Sequence, residues 1–207
     1  AVEAAAAASF TASLAAGKSV NAPVQPTLAD GLAVGRVGDR SFALAAPRVD
    51  RVLTVDEQAL SLAVLRLLEL EKTSCEGAGA AALAALMGEA GQELKGRKVV
   101  LLLCGGNIDP TVLHRVIDHG LAVDGRLWRF TATVSDRPGG MAKLTQVIAD
   151  AGASVLEINH DRAFSGPEVF STTVEVTVET ADHDHIQALR ERLHEADFGV
   201  ISATGCR

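Results

Sequence analysis

The segment 98–109, KVVLLLCGGNID, constrains the fold of this chain more than any other. Val99 to Cys104 form an unbroken apolar run, which is typical of a strand buried on both faces of a parallel sheet. The pair Gly105–Gly106 follows at once, and glycine permits a sharp turn and a close approach of backbone to ligand. Asp109–Pro110 have the residue types that begin a helix. Because ligands of α/β sheets bind beyond the carboxyl ends of strands, the pattern predicts a ligand-facing turn. A strand–turn–helix without a ligand has the same spacing.

Composition excludes several classes of function. The 207 residues carry a formal net charge of −7, so nucleic acids and anionic membranes are not expected partners. No apolar run reaches the roughly 18 residues of a transmembrane helix. The cysteines Cys75, Cys104 and Cys206 are odd in number and lack zinc-ligand spacing. This usage favours a reducing, cytoplasmic compartment over a disulfide framework.

The sequence pattern of residues 1–120 predicts a mixed α/β unit, which contains both helices and strands. Apolar residues recur at helical spacing after Asp56–Glu57, which predicts a helix that begins there. An Ala-rich helix over 80–87 follows the E-G-A-G motif of residues 76–79, and its small side chains imply close packing against a neighbouring backbone. The other predicted elements are a helix at 7–17 and strands at 49–55 and 98–104.

The pattern changes after residues 121–125, LAVDG, which are predicted as a linker. Beyond them the order βαββαβ, the ferredoxin-like arrangement, is predicted for a second domain at 126–207. Its elements are strands at 127–134, 154–159, 172–179 and 198–203 and helices at 141–152 and 186–196. A D-R-P-G-G turn separates the first strand from the first helix.

Both halves of the chain carry motifs of known families. The tail, WRFTATVSDRPGGMAKLTQVIADAGASVLEINHDR, resembles an ACT domain, a small regulatory module of amino-acid metabolism. The front, with TLADGLAV, VDRVLTVDEQAL, CEGAGAAALAAL and KVVLLLCGGNID, resembles the C-terminal part of the catalytic domain in the threonine ammonia-lyase (threonine dehydratase) family. The resemblance implies the C-terminal portion of a tryptophan-synthase-β-like, fold-type-II parallel-sheet domain that uses pyridoxal 5'-phosphate.

Two parts of that family's catalytic machinery are not found in this sequence. The family carries its Schiff-base lysine in an S-F-K-type motif, but here Ser9-Phe10 is followed by Thr11. No G-G-G-G run, the family's phosphate-holding loop, occurs either. We therefore expect no catalytic residue in this chain, which resembles a C-terminal fragment or a split gene product lacking the lysine half.

The resemblance also implies which residues face the cofactor. They are Cys104, Gly105, Gly106, Asn107, Glu76 and Gly31. Cys104 occupies the position that faces the pyridine nitrogen, Glu76 points toward the ring edge, and Gly31 lies near the cofactor and the substrate amine. Each has a structural alternative: a buried cysteine, a turn glycine, or a carboxylate favoured by a helix dipole.

Two sequence features resemble metal-binding sites. By resemblance, Glu3 and the backbone carbonyl of Ala7 hold a cation, although Ser9 stands where the family usually has an aspartate. The motif His183-Asp184-His185 resembles a metal-binding pair, but without a third ligand we expect a solvated helix cap.

The D-R-P-G-G turn is the predicted effector site. Backbone N–H groups at a helix N-terminus attract a carboxylate, such as that of an amino acid. The residues involved are Asp136, Arg137, Pro138, Gly139 and Gly140, with Asn159 from a neighbouring strand completing a pocket between paired ACT domains. The resemblance implies a branched-chain amino-acid effector and a homo-oligomer. A module that only dimerises is the alternative.

These inferences predict a cytoplasmic, allosterically regulated threonine ammonia-lyase of isoleucine biosynthesis. Such an enzyme converts L-threonine to 2-oxobutanoate and ammonia by pyridoxal-phosphate-dependent β-elimination. One alternative is a non-catalytic regulatory protein that binds amino acids. Another is a serine dehydratase or serine racemase of the same fold.

Overall fold

Contacts within the chain divide it into two units, Ala1–Gly120 and Leu121–Arg207. The structure is a computed structural model that describes residues 1–160 and 170–204. Cys206 therefore lies outside the described residues. Within the described part, no helix is long and apolar enough to cross a membrane.

The first unit combines a parallel pair of strands with six helices in its described residues. Strand β1 (Val2–Ala4) pairs with β2 (Leu53–Val55), with Val2 opposite Leu53. The helices are α1 (Ser9–Ala16), α2 (Asp39–Ala45), α3 (Glu57–Leu70), α4 (Gly77–Met87), α5 (Glu89–Glu93) and α6 (Pro110–Val123), the last of which continues into the second unit. Single 3-10 turns lie at Ala5–Ala7, Asp30–Leu32 and Ala46–Arg48. The predicted α/β class with parallel strands is confirmed.

The core of this unit forms where α3 packs against α4. The side chain of Asp56 caps α3 by accepting from the amide of Ala59 at 2.8 Å. The apolar spacing then buries one side of α3, including Leu60, Val64 and Leu67. Against it lie the buried alanines of α4: Ala80, Ala81, Ala84 and Ala85. These small side chains let the helix backbones approach closely, as the sequence predicted.

The predicted strand at 98–104 is wrong. Residues 98–109 have no regular secondary structure, and Val100 and Leu102 are 95% and 77% exposed. A strand requires a neighbour to complete its backbone hydrogen bonds, and no described strand pairs with this segment. An apolar run indicates that these side chains would favour burial, but it does not show which strand would pair with the segment.

The helix predicted after that segment is confirmed. Oδ1 of Asp109 accepts from the amides of Thr111 and Val112, at 2.8 and 3.3 Å, and Pro110 is the first helical residue. Because α6 continues to Val123, the residues 121–123 of the predicted linker are helical. A linker at 121–125 stays a prediction.

The second unit has the predicted ferredoxin-like order. Its elements are β3 (Leu127–Ser135), α7 (Gly140–Asp150), β4 (Ser154–His160), β5 (Ser171–Glu179), α8 (His183–Glu195) and β6 (Val200–Thr204). The antiparallel sheet has the strand order β4-β5-β3-β6. Alternate residues of β3 and β5 join the two helices in one core, whose largest buried members are Trp128, Phe130, Val174, Val176, Val178, Leu144, Ile148, Leu189 and Leu193.

Candidate cofactor and effector sites

The N-terminus of α4 is the point where the predicted cofactor residues meet. It carries the E-G-A-G motif, and its small residues let a loop at residues 27–32 come close. A Cβ added at Gly77 would overlap the carbonyl oxygen of Leu28. A Cβ added at Gly31 would lie 3.1 Å from Cβ of Ala78 and 3.7 Å from Oε1 of Glu76. The loop therefore rests directly on the first turn of α4.

The segment Cys104–Gly106 approaches the same helix end. The amide of Glu76 donates to the carbonyl oxygen of Gly105 at 3.1 Å. A Cβ added at Gly79 would overlap the carbonyl oxygen of Cys104, and one added at Gly105 would overlap the Glu76 carboxylate. The structure thus brings together five of the six predicted residues, Gly31, Glu76, Cys104, Gly105 and Gly106. The sixth, Asn107, is exposed and follows them directly in the chain.

The two described cysteines of this cluster differ in exposure. Cys104 is exposed, whereas Cys75 is only 2% exposed. Burial raises the pKa of the Cys75 thiol above its ordinary value of 9.0, and the nearby Glu76 carboxylate and Cys104 thiolate raise it further. Of these two, the thiol that a ligand can reach is that of Cys104.

These groups fit one end of pyridoxal phosphate. A thiol is a weak hydrogen-bonding group that suits a neutral ring nitrogen. Gly31, Gly79 and Gly105 each stand where a side chain would meet a neighbouring segment, so they allow three backbone segments to converge. Together with the Glu76 carboxylate, they would supply contacts for a ring and its edge if the cofactor binds here. A phosphate loop and a Schiff-base lysine motif do not occur in this sequence.

The predicted effector turn has the backbone geometry of a helix start. Gly139 has φ +98° at the N-cap of α7, and Gly140 begins the helix. The amide of Asp136 donates to the carbonyl oxygen of Phe170 at 2.9 Å, and the Arg137 guanidinium lies 5.0 Å from the centre of the Phe170 ring. A cation and an apolar ring therefore stand beside the turn.

The register of the sheet separates Asn159 from this turn within one chain. Asn159 pairs with Glu175, whereas Ser135, the last residue before the turn, pairs with Ser171. Asn159 is on β4, so β5 lies between it and the strand that leads into the turn. Its pairing partner is also further along β5 than the partner of Ser135. Its side chain donates to Oε1 of Glu157 at 3.2 Å. A contribution from Asn159 across a pair of ACT domains stays a prediction.

Comparison with known families covers both units. The pyridoxal-phosphate dependent enzyme family matches residues 1–105, and the ACT domain family matches residues 130–198. The chain belongs to the pyridoxal-phosphate dependent enzyme family. The resemblance inferred from the motifs is confirmed, including the regulatory module that follows the enzyme domain.

Named relatives of this pyridoxal-phosphate family member point the same way. L-threonine ammonia-lyase of Geobacter sulfurreducens is 41% identical over 96% of this chain and 49% of that protein. L-threonine ammonia-lyase of Thermotoga maritima is 36% identical over 93% of this chain and 47% of that protein. The processed form of threonine deaminase isoform 2 from Solanum lycopersicum matches 57% of this chain and 35% of its own, at 31% identity and a TM-score of 0.54. The chain therefore spans about half the length of the curated relatives it matches.

Glu3, the predicted cation ligand, caps a helix in this family member. Its carboxylate accepts from the amides of Phe10 and Thr11, at 2.7 and 2.8 Å, and from the Thr11 hydroxyl at 2.7 Å. These amides belong to the first turn of α1, where helix donors lack partners. A cation would have to compete with three hydrogen bonds. Among the residues that the structure describes, no three or more His, Cys, Asp or Glu side chains are grouped for a metal, and the cation at Glu3 and Ala7 stays a prediction.

The two histidines of the H-D-H motif contact backbone atoms of the second unit. Nε2 of His183 lies 3.0 Å from the carbonyl oxygen of Val123. His185 accepts at Nδ1 from the amide of Ala181 at 3.0 Å, and its Nε2 lies 2.8 Å from the carbonyl oxygen of Ala151. The motif therefore ties α8 to its neighbours, and the cap expected there is provided by Asp182.

Sequence analysis missed the role of Glu57 next to the loop at 27–32. Both of its carboxylate oxygens accept hydrogen bonds from that loop, one from the Thr27 hydroxyl and one from the Leu28 amide. A glutamate in the first turn of a helix is expected simply for the helix dipole, so its type and position gave no indication of this distant contact.

Proposed function

We propose that this chain supplies the C-terminal half of a threonine ammonia-lyase, which converts L-threonine to 2-oxobutanoate and ammonia. The observation that carries the proposal is the convergence of Gly31, Glu76 and Cys104–Gly106 at the start of α4. The two L-threonine ammonia-lyases that match more than nine-tenths of this chain support it. We also propose a catalytic part at 1–120, a linker at 121–125 and an ACT domain at 126–207.

Pyridoxal phosphate, when bound, supplies a sink for the electrons left behind as the substrate loses its α-proton. By resemblance, the exposed Cys104 thiol would face the ring nitrogen of a bound cofactor, and as a weak hydrogen-bonding group it would leave that nitrogen without a full proton, which would favour elimination over transamination. The backbone of Glu76 is held by the hydrogen bond of its amide to Gly105, and its carboxylate would lie at the edge of a bound ring. Gly31, which has no side chain, lets the loop at 27–32 lie close to the substrate amine.

The second unit is proposed to control this activity. Its turn at Asp136–Gly140 is proposed to bind the carboxylate of a branched-chain amino acid at the N-terminus of α7. Pairing of two ACT domains would make the protein a homo-oligomer. A biosynthetic role in isoleucine formation and a cytoplasmic location follow from the same proposal.

One observation favours a second candidate function. Because Ser9-Phe10 is followed by Thr11 and not by a lysine, a non-catalytic amino-acid-binding protein is the second candidate. A serine dehydratase or serine racemase would have the same fold, and differs in the product it forms.

A fusion of this chain to an N-terminal half from a relative tests the proposal. The N-terminal half of the Geobacter sulfurreducens relative is fused to this chain, loaded with pyridoxal phosphate and incubated with L-threonine or L-serine. Formation of 2-oxobutanoate and ammonia from L-threonine is the expected result. Pyruvate or D-serine as the main product would indicate the serine enzymes. A folded fusion that binds amino acids without turnover would favour the regulatory protein. A fusion with its Schiff-base lysine replaced by alanine is the control.

A further inference from the structure

Glu57 holds a loop that lies far from it in sequence. Its Oε1 accepts from the Thr27 hydroxyl, 30 residues away, and its Oε2 accepts from the Leu28 amide at 2.7 Å. The Thr27 hydroxyl oxygen also accepts from the Ala29 amide at 3.1 Å. Hydrogen bonds to an ionised group are stronger than those between neutral groups. The start of the loop is therefore fixed to the first turn of α3.

The held loop reaches the candidate cofactor site within a few residues. The Leu28 carbonyl packs against Gly77, where there is no room for a side chain. A 3-10 turn at Asp30–Leu32 follows, and it sets Gly31 against Ala78 and the Glu76 carboxylate. In the described structure the Glu57 carboxylate binds Thr27 and Leu28 and not Gly31 or Glu76, so it acts on those two residues through the loop.

A groove gives access to this contact. It has a volume of about 750 Å³ and is lined by residues that include Thr27, Glu57, Ser61, Arg115 and His119. The Glu57 carboxylate is therefore accessible from a groove that also carries a cationic side chain, Arg115. If Glu57 is replaced by alanine, a small carboxylate such as formate is expected to enter this groove and take its place.

We propose that Glu57 is a positioning residue that sets where Gly31 lies against Glu76, and thereby shapes the end of the site that receives the substrate amine. The inference rests on the proposed function for its consequence in catalysis. Its structural step, from Glu57 to the loop at 27–32, is independent of the reaction.

Hydrogen exchange on the 207-residue chain tests the structural step. Glu57→Ala removes both carboxylate acceptors. Hydrogen exchange of the amides in residues 27–33 should then be about tenfold faster, because the free energy needed to open the loop locally is lower. Sodium formate should restore slow exchange by entering the groove. The exposed neighbour Gln58→Ala is the matched control and should match the wild type. Unchanged exchange at 27–33 in Glu57→Ala, or faster exchange that formate does not reverse, would overturn the proposal.

A conservative variant covers the case in which Glu57→Ala fails to fold. Glu57→Gln keeps one carbonyl oxygen for the Leu28 amide, and the Thr27 hydroxyl can turn to accept from its side-chain NH2. Exchange at 27–33 should rise by less than about threefold in this variant. A rise larger than that caused by Thr27→Val, which removes the hydroxyl contact and keeps the Leu28 amide contact, would contradict the role of the carboxylate.

Kinetics of the completed fusion enzyme test the consequence. Glu57→Ala should raise the KM for L-threonine by about tenfold, while kcat changes by less than about twofold, because the loop positions the substrate rather than reacting with it. An unchanged KM in a folded variant with faster loop exchange would overturn the positioning role. A wild-type fusion without turnover would count against the proposed function, and would leave the exchange result to decide on the loop.

Discussion

The amide of Glu76 donates a hydrogen bond to the carbonyl oxygen of Gly105 across 3.1 Å. This contact joins the start of α4 to a segment that has no regular secondary structure. Gly105 has φ +87°, and a Cβ added there would overlap the Glu76 carboxylate, so a side chain at this position would have to displace it. The turn that carries Cys104 is therefore positioned by a helix end and not by a sheet.

This relationship predicts a large effect of Gly105→Ala. The change combines the cost of a positive φ with an overlap against Glu76, and it should lower the free energy of unfolding by about 2–4 kcal/mol. Gly96→Ala is the matched control, because Gly96 has φ +79° but no atom within 4 Å of an added Cβ. It should cost only about 1 kcal/mol. Urea unfolding of the three proteins measures both values, and equal costs would contradict the close contact.

The effector turn gives a second prediction with its own matched control. Isoleucine or valine at a hundredfold excess over its dissociation constant should stabilise the chain by about 2.7 kcal/mol. Gly139→Val should abolish this shift, because a β-branched side chain at φ +98° strains the turn and stands in the approach of the effector.

Gly152→Val separates strain from binding in the same experiment. Gly152 follows the C-terminal end of α7 and has φ +83°. As at Gly139, nothing lies within 4 Å of a Cβ added there. The variant should be destabilised similarly and should still respond to isoleucine in a thermal-shift assay. A response that survives Gly139→Val would place the effector elsewhere, and no response in the wild type would leave the unit as a dimerisation module.

The buried thiol of Cys75 predicts a loss of stability in alkali. Its pKa in the folded chain is raised above 9.0, so above that pH the unfolded thiol loses its proton while the folded one keeps it. The free energy of unfolding should therefore fall as the pH rises from about 9 toward the folded value. Urea unfolding at pH 8 and pH 10 should show a smaller difference in Cys75→Ala than in the wild type. Cys104→Ala removes only the smallest cause of the raised pKa and should keep most of the wild-type difference, because burial is the largest cause. An equal difference between pH 8 and pH 10 in all three proteins would refute the assignment.

Glu3 predicts a capping contribution to α1. Glu3→Ala leaves the Phe10 and Thr11 amides without their acceptor and should cost about 1–2 kcal/mol in the free energy of unfolding. Glu93→Ala is the control, because Glu93 pairs with Arg51 at the surface and should cost less than about 0.5 kcal/mol. Thermal unfolding with and without potassium ions tests the predicted cation. Stabilisation of the wild type that is lost in Glu3→Ala would support a cation there, and its absence would leave the carboxylate as a cap.

Local patterns were predicted well from the sequence because their partners are close in the chain. The cap of Asp109 on α6, the turn before α7 and the strand β3 all follow from neighbouring residues. The strand at 98–104 was wrong because its formation depends on a partner strand that the pattern does not specify. The grouping of Gly31 with Glu76 came from family resemblance, since no spacing rule joins them. The contact of Glu57 with Thr27 spans 30 residues and had no local indication.

The most direct test of the account is protection of Cys104 by the cofactor. The rate at which iodoacetamide alkylates Cys104 is measured by mass spectrometry in the completed fusion enzyme, with and without pyridoxal phosphate. We predict that the cofactor slows this rate by about tenfold or more, because a bound ring buries the surface that it faces. Buried Cys75 should react slowly in both states. Alkylation of Cys104 at the same rate with and without bound cofactor would contradict the placement of this chain's glycine turn at the cofactor ring.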